Sequence, residues 1–446
     1  MKIVTTTYDY GAPHTEVRDL HPFPDDDRVE NRVINLYPDE RYQTLLGFGG
    51  AFTEAAGYTF SLMGEGKRRE ILSGYFGPDG LGYTLCRLHL DSCDFCLGNY
   101  SAVTDETDAG LSTFSLSRDE QYIFPLLRWA QESGACDLQF LMSPWSPPAF
   151  MKTNGMKNCG GKLLPQYRQL WADYMARYVR AYRDRGVDVA MLSVQNEPNA
   201  AQPWDSCIYT PQEEMAFVRD HLGPAMEAYG LSDVKVLIWD HNKERAYERA
   251  RAVFDDPVAE RYARGVAVHW YSGDHFDALS LIARRYPHKL IIHSEGAFEL
   301  IPGEGIDQLA QAQAYAHHYI GNLHAGAHGL IDWNLALQAN GGPNHVNNLA
   351  VAPIMCDTVH DTYERQLSHT YIGHFSRYIR PGAVRIGTSV FTDRLEVTAF
   401  QNTDGSLAVV VLNRWKEDIP FRLRYLGRLI PKLAAHRESI STLLLD

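Results

Sequence analysis

The sequence predicts an α/β fold: a (β/α)8 TIM barrel with an attached β-sandwich-like domain built from both termini. Three observations predict it. Eight short apolar runs, at 45–48, 83–90, 138–142, 190–194, 234–239, 266–270, 290–293 and 329–333, alternate with helix-like segments. Eight is the strand count that closes a parallel barrel. The ends of the chain alternate polar and apolar residues instead, with the two-residue period of half-buried strands.

Between the apolar runs, helices are expected at 67–75, 118–132, 166–184, 211–229, 276–286 and 308–323. In 166–184, Tyr167, Leu170, Trp171, Tyr174, Tyr178 and Val179 recur at spacings that place them on one helix face. The competing doubly wound sheet would carry G-x-G-x-x-G after its first strand. Gly47-Phe48-Gly49-Gly50 does not fit that pattern. At the ends, 28–36, 394–400, 407–412 and 420–425 alternate, and Thr403-Asp404-Gly405 reads as a hairpin turn. The expected division is 41–378 for the barrel and 1–40 plus 379–446 for the β-domain.

Composition narrows the function. The formal net charge of −13 over 446 residues disfavours nucleic acid as a partner. Seven irregularly spaced cysteines suit reduced thiols rather than a disulfide framework. Cys93-Asp94-Phe95-Cys96 is a lone C-x-x-C, and neither H-x-H nor H-E-x-x-H occurs, so no metal and no cofactor are expected. The first residues lack an apolar signal region and no apolar run is long enough to span a bilayer. A cytoplasmic protein without stable membrane insertion is the expectation, and the sequence leaves its oligomeric state open.

In a parallel barrel, chemistry sits where strands end. The runs end on Gly49, Gly50 and Glu54; Arg87, Asp91 and Asp94; Ser143-Pro144-Trp145; Gln195-Asn196-Glu197; Asp240-His241-Asn242; His269-Trp270-Tyr271; Ser294-Glu295; and Asp332-Trp333-Asn334. Acids among aromatic rings suit sugars, whose C–H faces stack and whose hydroxyls need many hydrogen bonds. Glu197 and Glu295 close the fourth and seventh runs, 98 residues apart, and face each other across the barrel mouth. Two such carboxyls can flank a glycosidic bond, as close as about 5–5.5 Å in retaining enzymes and wider in inverting ones. Asn196 can donate to a sugar 2-hydroxyl. Trp145, between two prolines, suits a site wall, whereas Trp270 and His269 suit core at least as well.

Longer motifs then point to a family. GFGGAFTEAA at 47–56, SCDF at 92–95, SPWSPPAFMKTNG at 143–155, QNEP at 195–198, AVHWY at 267–271, HSEG at 293–296, DWNLAL at 332–337, GGPN at 341–344, GHFSRYIRPG at 373–382 and VVVLNR at 409–414 resemble the glucosylceramidase-type branch of glycoside hydrolase family 30. The resemblance implies Glu197 as acid/base and Glu295 as nucleophile. It implies Asp94 and Trp333 as contacts to the outer hydroxyls of the terminal sugar, and Trp145, Asn196 and Arg87 as direct or supporting residues. His269 and Tyr271 become neighbours of the nucleophile, and Asn348 falls near the aglycone mouth. His345 and Asp240-His241-Asn242 depart from the branch's lysosomal member, and both are expected at the rim.

The implied activity is that of a retaining exo-β-glycosidase on a glycoside or glycosphingolipid, with glucosylceramide foremost. Glu295's charge is expected to keep Glu197 protonated at rest, since like charges raise a pKa. The alternatives are the same chemistry on soluble β-glucosides, β-xylosides, β-fucosides or β-1,6-glucans. A non-catalytic sugar-binding barrel would lack one glutamate, and a metal-dependent hydrolase would need ligand motifs this chain lacks.

Overall fold

Strands of a parallel barrel are buried on both faces, so they must be apolar nearly throughout, and the eight runs fold in that way. The computed structural model describes residues 1–26 and 28–446. The barrel strands are β1 Gly47–Phe52, β2 Leu85–Leu90, β3 Gln139–Pro144, β4 Asp188–Ser193, β5 Lys235–Asn242, β6 Ala263–His269, β7 Leu290–Glu295 and β8 Gly329–Asn334. Neighbours run parallel and the sheet closes on itself in chain order. The first strand runs on past the predicted 45–48, through its glycines. A Cβ on Gly49 would meet the Leu85 carbonyl oxygen at 1.7 Å, so β1 and β2 approach as they do only without a side chain there.

Two irregularities matter for the site. Along β5 and β6, Ala267 pairs with Trp239 but Val268 pairs with His241, so Asp240 is left over. Along β6 and β7, Val268 pairs with His293 but His269 pairs with Glu295, so Ser294 is left over. Each is a bulge, which re-aims a side chain at a strand end. Trp239 and Asp240 take left-handed backbone conformations there, at φ 72° and 49°.

The chain divides into two compact units: 48–304 with 329–364, and 1–47 with 305–328 and 365–446. The second holds a ten-stranded sheet in which the two ends of the chain interleave. Lys2–Asp9 pairs with Ala12–Asp19 on one side and Ser439–Leu445 on the other. The sheet continues through Leu407–Asn413, Glu396–Gln401, Val384–Val390, Val33–Thr44, Ile419–Tyr425, Arg428–Ala435 and Phe23–Pro24. Ile3, Ile34, Ile386, Val409, Phe421 and Leu443, from across that order, share one core. The turn at Thr403-Asp404-Gly405 joins two antiparallel strands, as expected. Helices Gln308–His324 and Leu367–Ser376, which follow β7 and β8 in the chain, belong to this unit by their contacts.

Candidate active site

Of the residues singled out by sequence, Asp94, Trp145, Asn196, Glu197, Tyr271, Glu295, Trp333 and Asn348 line one cavity of about 290 Å³ at the C-terminal ends of the barrel strands. Arg87 and His269 lie behind its wall, both wholly buried. Sequence reasoning missed Phe95, Gln202, Trp204, Phe298 and Leu349, which also line it. Phe298 lies in the two-residue strand Phe298–Glu299 and the others in irregular loops, where neither periodicity nor the end of a barrel strand marks them.

Arg87, at the centre of β2, organises the floor. Its Nη2 donates to Asn196 Oδ1 and to Asp240 Oδ2, each at 2.8 Å. Its Nη1 donates to Glu295 Oε2, and its Nε to Ser143 Oγ at 3.1 Å. Arginine has no acceptor, so Asn196 must present its oxygen to Arg87. The amide NH2 is thereby freed for the cavity, the orientation a sugar hydroxyl requires.

Asp240 is the counterpart hub. It was expected at the rim but is fully buried, because the bulge in β5 turns it inward. Ser143 Oγ donates to its Oδ2 at 2.8 Å, and Ser294 Oγ and His269 Nε2 approach its Oδ1 at 2.6 and 3.1 Å. The second bulge is what brings Ser294 into that set. Burial alone would push the carboxyl up; the Arg87 charge and the His269 donor outweigh it and hold Asp240 well below the usual carboxylate range. His241 and Asn242 do line the cavity.

The two glutamates share a neighbour. His269 Nδ1 lies 3.5 Å from Glu197 Oε1 and 3.9 Å from Glu295 Oε1. Those two oxygens are thus no farther apart than the sum of the distances. Tyr271, whose ring reaches solvent, donates its hydroxyl to Glu295 Oε1 at 2.9 Å. Glu197 has a left-handed backbone, φ 49°, pinned by its N–H on the Asp240 carbonyl at 2.9 Å. Such a conformation costs on the order of 1 kcal/mol or more and clusters at functional sites.

The electrostatics around Glu197 run against the expected raised pKa. Burial favours its neutral form, but the His269 donor and the nearby His241, at 3.7 Å, bring its carboxyl below the ordinary range. Burial also opposes charge on His269. Glu295, Asp240 and Glu197 together override it and lift the imidazole to about 9. That balance favours a charged His269 imidazole, which stands between Glu197 and Glu295.

The far wall is aromatic. Trp145 and Trp333 stack at 5.3 Å, Phe95 meets Trp333 edge-on at 5.9 Å, and the Arg87 guanidinium lies 4.8 Å from the Trp145 ring. Asp94 projects beside them and accepts from Asn348 Nδ2 at 3.0 Å and from Asn344 Nδ2 at 3.4 Å. Burial, then the Glu295 charge, push Asp94 up to about 8.

Other strand-end candidates are structural. Glu54 accepts from the Leu97 N–H at 2.7 Å and pairs with Arg118. Asp91 accepts from the Tyr174 hydroxyl and lies 3.6 Å from Lys157 Nζ. Trp270 is core, its Nε1 donating to the Ala297 carbonyl at 3.3 Å. His345, expected at the rim, is not among the residues that line the cavity. Its Nε2 lies 3.2 Å from Asp205 Oδ2, and its N–H donates to the Asp94 carbonyl at 3.2 Å.

Residues 45–379 match the Glycosyl hydrolase family 30 TIM-barrel domain, and residues 382–443 the Glycosyl hydrolase family 30 beta sandwich domain. The chain is 33% identical over 408 residues to lysosomal acid glucosylceramidase of Mus musculus, covering 88% of this chain and 79% of the relative. Among solved structures, SrfJ from Salmonella typhimurium is 38% identical with a TM-score of 0.94, both chains covered in full. The endo-β1,6-glucanase BT3312 is 25% identical with a TM-score of 0.88, covering 100% of this chain and 99% of its own.

Proposed function

The chain belongs to glycosyl hydrolase family 30, and from that membership we propose a retaining exo-β-glycosidase that releases glucose from glucosylceramide. One observation carries the reading: Glu197 and Glu295 face one small cavity with a single imidazole nitrogen within 4 Å of both. Glu295, oriented by Arg87 and Tyr271, attacks the anomeric carbon. Glu197 delivers a proton to the leaving oxygen, restocked from His269. A covalent glycosyl-enzyme forms, and Glu197, now a base, activates the water that releases it.

Asp94, Trp145 and Trp333 hold the terminal sugar, and Asn196 donates to its 2-hydroxyl. These groups are almost wholly buried, which favours one sugar at a chain end. Trp204, Phe298 and Leu349 give the cavity an apolar side suited to a lipid aglycone. Among the described residues no helix is long and apolar enough to cross a membrane, so the lipid would be met at a micelle or bilayer surface.

Initial rates on glucosylceramide in detergent, beside aryl β-glucoside and aryl β-xyloside, test the substrate. NMR of the first-formed anomer tests the stereochemistry. Fast release of β-glucose from the lipid is expected. Turnover of the aryl glucoside alone would sink the ceramide assignment, and an α-anomer would sink retention. The full-length likeness to an endo-β1,6-glucanase favours a second reading, and cleavage of a β-1,6-glucan with none of the lipid would establish it.

The position of His269 has a pH signature. Its cation is present below about pH 9 and lost above it, so kcat/KM on an aryl glucoside should fall through that pH. His269→Gln should remove that limb, leaving one set by Glu197. Superimposable profiles for the two proteins would refute the proton's assignment to His269.

A further inference from the structure

Directly behind the sugar-holding carboxylate lies a pair of thiols that the mechanism does not use. Cys93 and Cys96 bracket Asp94 and Phe95 in a tight turn after β2, and their Sγ atoms are 3.8 Å apart. Both are fully buried. His89 completes the cluster, with its ligand atom within 4.8 Å of both sulfurs.

A metal is the first thing to consider there, and the histidine argues against it. His89 Nδ1 faces the Asp91 carbonyl at 2.6 Å, so it carries the proton. Its Nε2 accepts from the Glu54 N–H at 3.0 Å. Neither lone pair is left to bind an ion. Two thiols in contact, with no ligand completing a site, are set up for another reaction.

We propose that Cys93 and Cys96 form an oxidation site, in which hydrogen peroxide converts the pair to a disulfide that displaces Asp94 and weakens glycoside binding. Cys96 is the attacking sulfur. It accepts from the Cys93 N–H at 3.3 Å and from the Cys93 thiol, and both donors favour its thiolate. Burial pushes both thiols up, and the Cys93 thiol donor opposes that at Cys96 while Cys93 stays raised. The Cys96 thiolate attacks peroxide, breaking the O–O bond, to give a sulfenic acid and hydroxide. The hydroxide takes the Cys93 proton. The Cys93 thiolate then attacks the Cys96 sulfur, forming the S–S bond and expelling a second hydroxide, which leaves as water with a solvent proton. Two electrons pass from the thiols to peroxide. A small neutral oxidant can reach buried sulfurs that a bulkier disulfide cannot.

The effect on Asp94 follows from how the turn is anchored. A disulfide draws the sulfurs in to about 2.05 Å. The flanking chain cannot follow freely. Ser92 Oγ donates to Asp205 Oδ1 at 2.6 Å, the Phe95 carbonyl accepts from the Ala55 N–H at 3.0 Å, and the Leu97 N–H donates to Glu54. The closure is therefore taken up between Ser92 and Leu97, at the expense of the contacts Asp94 makes there: the His345 N–H on its carbonyl and the Asn348 amide on its carboxyl.

This inference rests on Asp94 holding the sugar, and the experiment separates the two. The purified enzyme is treated with hydrogen peroxide. The peptide carrying residues 93–96 is then examined by mass spectrometry, and KM and kcat on an aryl β-glucoside are measured before and after reduction. The expected result is loss of two hydrogens from that peptide and a rise in KM of about fivefold or more, with kcat changed less. Dithiothreitol should reverse both changes, and neither should occur in Cys96→Ser or Cys93→Ser. Two free thiols in that peptide after the exposed Cys136 and Cys159 have fully oxidised would overturn the oxidation site. A disulfide with unchanged KM would overturn its coupling to binding. Asp94→Asn, measured alongside, reports on the sugar contact itself: an unaltered KM there would implicate the underlying reading, not the thiols.

Discussion

Glu295→Gln is expected to lower kcat on an aryl β-glucoside by at least about 10⁴-fold while the protein stays folded, as for other covalent nucleophiles. Gln is nearly isosteric, but it keeps one acceptor oxygen, so only one of Tyr271 and Arg87 retains its partner there. What is lost is the attacking oxygen, so no glycosyl-enzyme forms. Glu197→Gln should behave differently. Its loss, about 10²–10⁴-fold, should depend on the leaving group. It should be small for cleavage of a dinitrophenyl glucoside, which needs no acid, and large for an alkyl or lipid glucoside. Azide should rescue the slow second step in Glu197→Gln and leave Glu295→Gln inactive. Rescue in the opposite variant would exchange the two roles.

Asp240→Asn should also be damaging, although Asp240 lines no part of the cavity. Its carboxylate neutralises Arg87 and accepts from Ser143, Ser294 and His269. An amide offers one acceptor oxygen in place of two and turns hydrogens toward donors. Breaking a buried pair in this way costs about 3–5 kcal/mol. Some of that cost should appear as a fall in Tm of several degrees. The rest should appear as a loss of about 10²–10³-fold in kcat/KM, because Arg87 and His269 no longer hold Glu295 and Glu197 in register. A kcat/KM within about threefold of wild type would show that Asp240 only supports the fold.

That hub also marks where sequence reading ran out. The eight strands were legible because burial on both faces makes each an apolar run, and reading each strand's end found both glutamates, both tryptophans and Asn196. The two bulges were not legible. Alternation assigns Asp240 and Ser294 to faces by counting residues, and a bulge changes the count without any signal in composition. The helix Leu367–Ser376 was missed for a related reason: all of its residues except Thr370 are buried, polar ones such as Ser368, His369 and His374 included, so polarity marks no outer face. The hairpin Lys2–Asp9 with Ala12–Asp19 has an exposed second strand, eight residues with no apolar alternation to read. The cavity's loop residues, such as Trp204, are positioned by tertiary contacts alone.

The reach of Arg87 limits how this enzyme can be adjusted. One guanidinium grips Glu295, Asn196 and Asp240 at once, so any change to it alters the Glu295 carboxyl and the Asn196 amide together. Neither can be optimised alone from that position. Glu197 is less constrained: His241, at 3.7 Å, and Gln202, at 3.5 Å, touch it without bonding to Glu295. Adaptation of this scaffold to a more acidic or more alkaline habitat therefore has an open route through those two positions, while the floor beneath them stays unchanged across such variants.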